Sequence, residues 1–464
     1  MLNNQTIKEM KLEQFYDKAL GHASYAILSE GIVALVDPGR DPQPYIDFAE
    51  SHGAKIITVF ETHPHADFAS CHLELHEKLG AKIYINPKVG VSYPFEPMED
   101  GDEVKIGGIT MRALFTPGHS PDHNSYLLLD ENGKPHSVYT GDSLFVGDVG
   151  RPDLREGAGH IQMQREGLAR MMYKTLNEVF EPMDDDVLVY PAHGAGSLCG
   201  KQMAEDTYST IGQEKKQNWA FQIDNEELFV KSLLEDQPFI PKYFPYDVEI
   251  NRTGSAPYRE SVDAVPRLGK DDVLKPDILV VDTRPQEVFK KSGHTDGVLN
   301  IMEGDKFETW LGSIVGPDEQ FYLLAKNDLE LESVIRKAAK IGYEMNIVAA
   351  KVVSLDQFGG NGETLDLENF KNHQEKYFIV DIRNASEFKS EKFFDHSVNI
   401  PLHELRERVQ QITTEKPIVI HCAGGYRSAA GYSILSAALP ENKVYDLSEA
   451  VEEYVEKDTA GGVA

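Results

Sequence analysis

Two stretches in the second half of this 464-residue chain repeat one another, and a repeat of that length constrains the fold more than any single motif. The first reads DILVVDTRPQEVFKKSGHTDGVLNI and is followed by DEQFYLLAKNDLELESVIRKAAKIGYEMNIVAA. The second reads KYFIVDIRNASEFKSEKFFDHSVNIP and is followed by EKPIVIHCAGGYRSAAGYSILSAALPENKVYDL. Each copy predicts an apolar strand ending in Asp-x-Arg, a helix carrying a Glu, a short strand, a second apolar strand, a loop, a helix and a final strand. Strands joined by helical crossovers form a parallel sheet, so the order predicts two parallel α/β domains, over about residues 262–355 and 360–462. Ligands of such sheets bind at the carboxyl ends of the strands, which is where the loop CAGGYRS follows PIVIH.

Before the repeat, up to about residue 250, β-rich runs such as SYAIL and IVALVDPG alternate with helical stretches such as GLARMMYKTLNEVFEPM, predicting a layered α/β domain. From Pro238 to Pro266 the text is rich in Pro and turn residues without a sustained apolar period, and it reads as a packed connector. The chain carries 46 Lys+Arg against 76 Asp+Glu, a formal charge of −30, which would repel both a nucleic acid backbone and an anionic membrane surface. The opening residues lack the basic and apolar regions of a secretion signal, and no apolar run of about 18 residues is present to span a membrane. The three cysteines, Cys71, Cys199 and Cys422, lie far apart, which argues for thiols in a reducing cytoplasm rather than a disulfide framework.

Four polar clusters follow four apolar strands in the first domain. IITVF runs into ETHPHADFAS with His63, His65 and Asp67; TPGHSPDHNSY brings His119; VYTGDSLF brings Asp142; VYPAHGAGSLCG brings His193. Imidazoles and carboxylates at separate strand ends can converge on one divalent cation, and core packing requires no polar residues there. Nearby, GDVGRPDL supplies Arg151 and Asp153 beside glycines that permit close backbone approach. Arg151 can hold an anionic cosubstrate, pair internally with Asp153, or do both. Tyr190 can donate a hydrogen bond at the site or pack beneath it. Cys199 reads first as a buried thiol, with a persulfide-carrying or gating role as the alternative, and His72 with His76 at i, i+4 spacing reads as structural.

These elements, in this order, resemble the metallo-β-lactamase superfamily over about residues 12–250, which implies an αββα sandwich. The resemblance departs at one informative place: glyoxalase-II-like hydrolases carry a second histidine after the aspartate, whereas this chain has Phe68 after Asp67. A ligand for a second metal is therefore missing, and binuclear zinc hydrolysis needs both ions. ETHPHADF and GDSLFVGDVGRPDLR resemble the persulfide dioxygenases. That resemblance implies one Fe(II) held by His63, His119 and Asp142, with His65, Asp67 and His193 as hydrogen-bonding neighbours. Two histidines and a carboxylate on one face leave open positions for a sulfur anion and O2.

In HCAGGYRS, Cys422 stands at a strand end and Arg427 at a helix start. Loop amides, the helix N-terminus and the guanidinium all favour a nucleophilic thiolate. The spacing separates two chemistries. Cysteine phosphatases place five residues between Cys and Arg to ring a phosphate, whereas four lie between Cys422 and Arg427, which suits a single sulfur. The segment resembles a rhodanese, with Asp381, Arg383 and Glu387 upstream, and the resemblance implies sulfane sulfur transfer through a Cys422 persulfide. The first copy keeps Asp282, Arg284 and Glu287 but has Ala325 near the nucleophile position and no cysteine, so it reads as an inactive spacer or docking unit.

Taken whole, the chain resembles the bacterial persulfide dioxygenase–sulfurtransferase fusions. The resemblance implies oxidation of a small-molecule persulfide with O2 to sulfite, with thiosulfate linked through Cys422, in sulfide detoxification. The rival expectation is a glyoxalase-II-like binuclear zinc thioester hydrolase fused to a sulfurtransferase. A third is a sulfur carrier with an idle first domain. The thiol carrier (glutathione, coenzyme A or another), the direction of sulfur transfer and the choice between monomer and homo-oligomer have no signature in the sequence.

Overall fold

A computed structural model describes residues 10–161, 163–291, 297–353 and 364–454. The chain start to residue 9, the boundary expected between residues 355 and 360 and the end of the last domain, 455–462, lie outside the described residues. The chain forms two compact units, Met1–Ala264 with Ala338–Tyr343, and Val265–Lys337 with Glu344–Ala464.

The first unit contains two six-stranded sheets. Strands β1 (Lys11–Asp17), β2 (His22–Ser29), β3 (Ile32–Val36), β4 (Lys55–Phe60), β5 (Lys82–Ile85) and β6 (Glu96–Pro97) pair in sequence order. Strands β7 (Glu103–Ile106), β8 (Ile109–Phe115), β9 (Asn124–Leu129), β10 (Pro135–Gly141), β11 (Leu188–Pro191) and β12 (Ser209–Thr210) form the second sheet, ordered from β12 to β7. Side-chain alternation explains the layers. On β3, Ala34 and Val36 enter the core between the sheets while Val33 and Leu35 face the opposite way. There they meet Tyr45, Phe48 and Ala49 of helix α1 (Gln43–Ser51) and Leu75 of α2 (His72–Leu79). On β9, Tyr126 and Leu128 enter the shared core, and Leu127 and Leu129 face helices α3 (Arg165–Thr175), α4 (Ile211–Gln217) and α5 (Glu226–Leu234). Each sheet is thus buried on both faces, in a helix–sheet–sheet–helix sandwich.

The stretch from Pro238 to Pro266, read from the sequence as a packed connector, carries helices α6 (Phe244–Thr253) and α7 (Tyr258–Ala264). Pro245 sits in the first turn of α6, where its missing N–H breaks no helical bond. Both helices are under three turns, too short to display an apolar period.

The second unit holds two all-parallel sheets. One has β13 (Arg267–Leu268), β14 (Leu279–Asp282), β15 (Val298–Asn300), β16 (Phe321–Ala325) and β17 (Ile347–Val352), ordered β13-β17-β16-β14-β15. Helices α8 (Gln286–Lys291), α9 (Phe307–Ile314) and α10 (Asp328–Lys340) connect them, and α10 ends at the residues that group with the first unit. After α11 (Leu367–Asn372), the other sheet has β18 (Phe378–Asp381), β19 (Val398–Asn399), β20 (Ile418–His421) and β21 (Val444–Asp446), ordered β19-β18-β20-β21. Helices α12 (Ala385–Ser390), α13 (Leu402–Arg408) and α14 (Tyr426–Ala438) connect these strands.

The repeat extends to individual bonds. Arg284 grips Asp282 and Arg383 grips Asp381, each through Nε and Nη2. Asn300 Nδ2 donates to the carbonyls of Asp282 and Arg284, just as Asn399 Nδ2 donates to those of Asp381 and Arg383. Asp282 pairs in register with Leu324, and Asp381 with His421, so Ala325 occupies the position of Cys422. Among the described residues, no helix is long and apolar enough to cross a membrane.

Candidate functional site

The four polar clusters of the first unit lie at strand ends: His63, His65 and Asp67 after β4, His119 after β8, Asp142 after β10 and His193 after β11. All six side chains are at most 3% exposed. His63, His119 and Asp142 come together so that one ligating atom of each lies within 4.8 Å of the others. His63 Nε2 is 3.8 Å and His119 Nε2 3.5 Å from Asp142 Oδ2. Neither His63 Nε2 nor Asp142 Oδ2 has a hydrogen-bond partner, and a buried polar atom left so costs about 1–3 kcal/mol. Such orphans gathered at one point fit a bound cation.

Neighbouring bonds aim these atoms. Asp37 accepts from the Thr62 amide at 2.7 Å and from its hydroxyl at 2.9 Å. With that proton committed, Thr62 Oγ1 accepts from His63 Nδ1 at 3.0 Å, leaving the Nε2 lone pair bare. Burial holds His63 and His119 below the ordinary imidazole range, so both are neutral and able to ligate at pH 7. Burial raises the Asp142 carboxyl, but the charge and hydrogen bond of the His193 imidazole lead the effects that outweigh it and hold Asp142 ionised far below the usual carboxylate range. Gly150 makes the approach possible: a Cβ there would stand 2.0 Å from the Asp142 carbonyl oxygen and 2.9 Å from His119 Nδ1.

His193 is held differently. Its Nδ1 donates to Asp142 Oδ1 at 2.7 Å, and its Nε2 faces Asp67 Oδ2 at 2.9 Å. Burial opposes charge on this ring, yet the two carboxylates raise it well above the ordinary value. His65 Nε2 faces Asp37 Oδ1 at 3.2 Å, and Asp37 outweighs burial there too. The Phe68 ring is 1% exposed and fills the space between His22, at 3.8 Å between centroids, and His65, at 4.5 Å.

In the second unit, Cys422 follows β20 and its Sγ accepts the Gly425 amide at 3.1 Å. Gly425 has φ +94°, and it starts α14, whose Arg427 binds Glu387 through both guanidinium nitrogens at 2.6 and 2.8 Å. Glu387 also closes the start of α12 by accepting the Asn384 amide.

Residues 17–193 match the Metallo-beta-lactamase superfamily and residues 366–457 the Rhodanese-like domain. The chain carries a metallo-β-lactamase superfamily domain followed by a rhodanese-like domain. A metallo-beta-lactamase from Staphylococcus aureus is 33% identical, with a TM-score of 0.66 and coverage of 74% of this chain and 99% of its own. A cytoplasmic hydroxyacylglutathione hydrolase of Arabidopsis thaliana is 33% identical over 174 residues, 37% of this chain, and the chain spans only 62% of that relative's length. ETHE1 from Myxococcus xanthus is 28% identical, with a TM-score of 0.45 over 52% of this chain and 98% of its own.

Within the metallo-β-lactamase domain, Arg151, Asp153 and Tyr190, the residues expected at the substrate, make the following contacts. Arg151 is 1% exposed and binds Asp153 through Nε and Nη2, both at 2.7 Å, with further bonds to the carbonyls of Leu198, Pro238 and Phe239. This guanidinium ties the loops together, which is the internal pair with Asp153 that the sequence reading named beside a cosubstrate role. Tyr190 packs against Tyr25, Tyr139 and Tyr208. Cys199 is buried, groups with Asp67 and His193, and its carbonyl accepts a hydrogen bond from the Arg151 amide at 2.9 Å. Burial first, then the Asp67 and Asp142 charges, push its thiol well above the usual range and keep it protonated. His72 faces Glu61 at 3.4 Å and His76 bonds the Ala81 carbonyl, both structural contacts.

Sequence reading missed the supports of this centre. His123 accepts the Asp142 amide at 3.0 Å and so cannot ligate through that nitrogen. Arg155 makes a two-pronged, fully buried pair with Asp122 at 2.9 and 2.7 Å, bracing the loop that carries His119. Asn251 on α6 donates to the carbonyls of His65 and Phe68 and accepts the Ser70 amide. The HSPDH spacing hinted at His123, whereas nothing local marked Asn251, 186 residues from His65.

Proposed function

We propose that the metallo-β-lactamase domain is a mononuclear non-haem Fe(II) persulfide dioxygenase and that the rhodanese-like domain moves sulfane sulfur through Cys422. The observation carrying this reading is Phe68 in place of a second-site imidazole, with His193 held between Asp142 and Asp67 beside the His63–His119–Asp142 set. One ferrous ion held by that set would supply adjacent open positions for a sulfur anion and O2. The chain's own part is to hold the three ligands in their ionisation states: Thr62 and Asp37 direct His63 Nε2, and His193 keeps Asp142 anionic. In balance, a persulfide anion, O2 and water give sulfite, the free thiol and a proton. A Cys422 persulfide passing its outer sulfur to sulfite gives thiosulfate and the Cys422 thiolate, and the reverse sense regenerates persulfide. Both reactions share sulfane sulfur, which suits sulfide detoxification in a reducing cytoplasm. Glutathione, coenzyme A and other small thiols all fit as carriers.

The names of curated relatives favour a second reading, a binuclear zinc hydrolase acting on a glutathione thioester. Metal quantitation on anaerobically purified protein, followed by oxygen-electrode assays with glutathione and coenzyme A persulfides, separates the two. About one iron per chain and persulfide-dependent oxygen uptake are expected. Two zinc ions with thioester turnover would sink the proposal.

A further inference from the structure

The cysteine-free copy touches the Cys422 loop on both sides of its tightest turn. Met302, just after β15, accepts a hydrogen bond from Tyr426 Oη at 2.6 Å through its carbonyl, and Tyr426 is the residue following Gly425. Gly304 lies under the same ring, where a Cβ would stand 3.4 Å from Tyr426 Cε2. On the other side, Gln286, in the first turn of α8, donates through Nε2 to Ser448 Oγ. Ser448 closes over Gly425: a Cβ on Gly425 would meet Ser448 Oγ at 3.2 Å. Ser448 itself has φ +52°, a conformation costly for a non-glycine residue, and it is held there by its amide bond to Asp446 at 2.8 Å. Lys290, one turn along α8 from Gln286, pairs with that same Asp446 at 2.8 Å. The two anchors are joined, since the Gln286 amide contacts Met302 Sδ at 3.2 Å.

We propose that the cysteine-free copy is a positioning element for sulfur transfer: Gln286 and Met302 fix Gly425 and Tyr426, and so hold the Gly425 amide on Cys422 Sγ. This rests on the reading of Cys422 as the sulfur-transfer nucleophile. Ala325 at the position of Cys422 leaves this copy without a nucleophilic sulfur of its own, and the bonds to Ser448 and Tyr426 give it a role beside the copy that has one. Gln286 and Tyr426 act through the loop and touch no reacting atom, so both are positioning residues.

The test uses the full chain with Gln286→Ala and Tyr426→Phe, assayed by thiosulfate:cyanide sulfur transfer and by iodoacetamide labelling of Cys422 at fixed pH, followed by peptide mapping. Each variant should lower kcat about fivefold, the order expected for one lost hydrogen bond, and slow Cys422 labelling alongside it. KM for thiosulfate, metal content and far-UV circular dichroism should stay as in the parent. Tyr426→Phe removes a single oxygen and decides the matter should Gln286→Ala fail to fold. Parental kcat and labelling rate in Tyr426→Phe would overturn the proposal. Undiminished transfer in Cys422→Ser would instead remove the reading on which it rests.

Discussion

His119 and Cys422 are the residues whose replacement most cleanly separates the two proposed chemistries, because they belong to different compact units. His119→Ala removes one of the three proposed ligating atoms, so metal content should fall to about a tenth or less and oxygen uptake with it, while sulfur transfer persists. Cys422→Ser should do the reverse. A single protein preparation assayed both ways checks the pair. Glu387 offers a pH test at the same scale. Burial raises its carboxyl, but the bonds and charge of Arg427 win and hold it below the usual glutamate range. The folded carboxyl is therefore the stronger acid. Its stabilising contribution is fully present above the ordinary glutamate pKa and is lost as pH falls through the depressed one. The difference in urea midpoint between the parent and Glu387→Gln should be steady near neutrality and close on the acid side, and a difference that widens there would contradict the pairing.

At the scale of elements, short loops between strands and helices carry the candidate site residues, and other elements hold those loops in place. Helix α6 does this for the His63–Phe68 segment through Asn251, which satisfies two carbonyls and one amide that no strand can reach. Asn251→Ala leaves those buried groups without partners, at about 1–3 kcal/mol each before relaxation. Metal affinity, read by competition with a chromophoric chelator, should weaken about tenfold or more although Asn251 supplies no ligand. Unchanged affinity would mean that the β4 loop holds its shape unaided. The motifs on β4, β8, β10 and β11 were legible because strand ends and metal ligands are both local patterns. The α6 contribution was not, since a helix of under three turns beginning Phe-Pro shows no periodicity and its key side chain is polar.

For the whole molecule, division into two compact units means that unfolding need not be all-or-none. A metal bound only by the folded first unit stabilises that unit by mass action, increasing with free metal over Kd. Calorimetry of holo protein against protein stripped with a chelator should therefore move one transition down by several degrees, leave another in place, and restore the first when ferrous iron is added back anaerobically. Equal shifts of both transitions would contradict a metal confined to the first unit.

The order of apolar strands and crossovers, the Asp-x-Arg repeat and the polar residues at strand ends were determined by the sequence alone, because each is set by spacing along a few residues. So was the lack of a second-site imidazole at Phe68. Tertiary structure alone decided that Arg151 is spent on Asp153 and three carbonyls, that His193 lies between two carboxylates, and that Gln286 reaches Ser448 across 162 residues of chain. A side chain's partners depend on which distant backbone the fold brings within about 3 Å, and no local pattern records that distance.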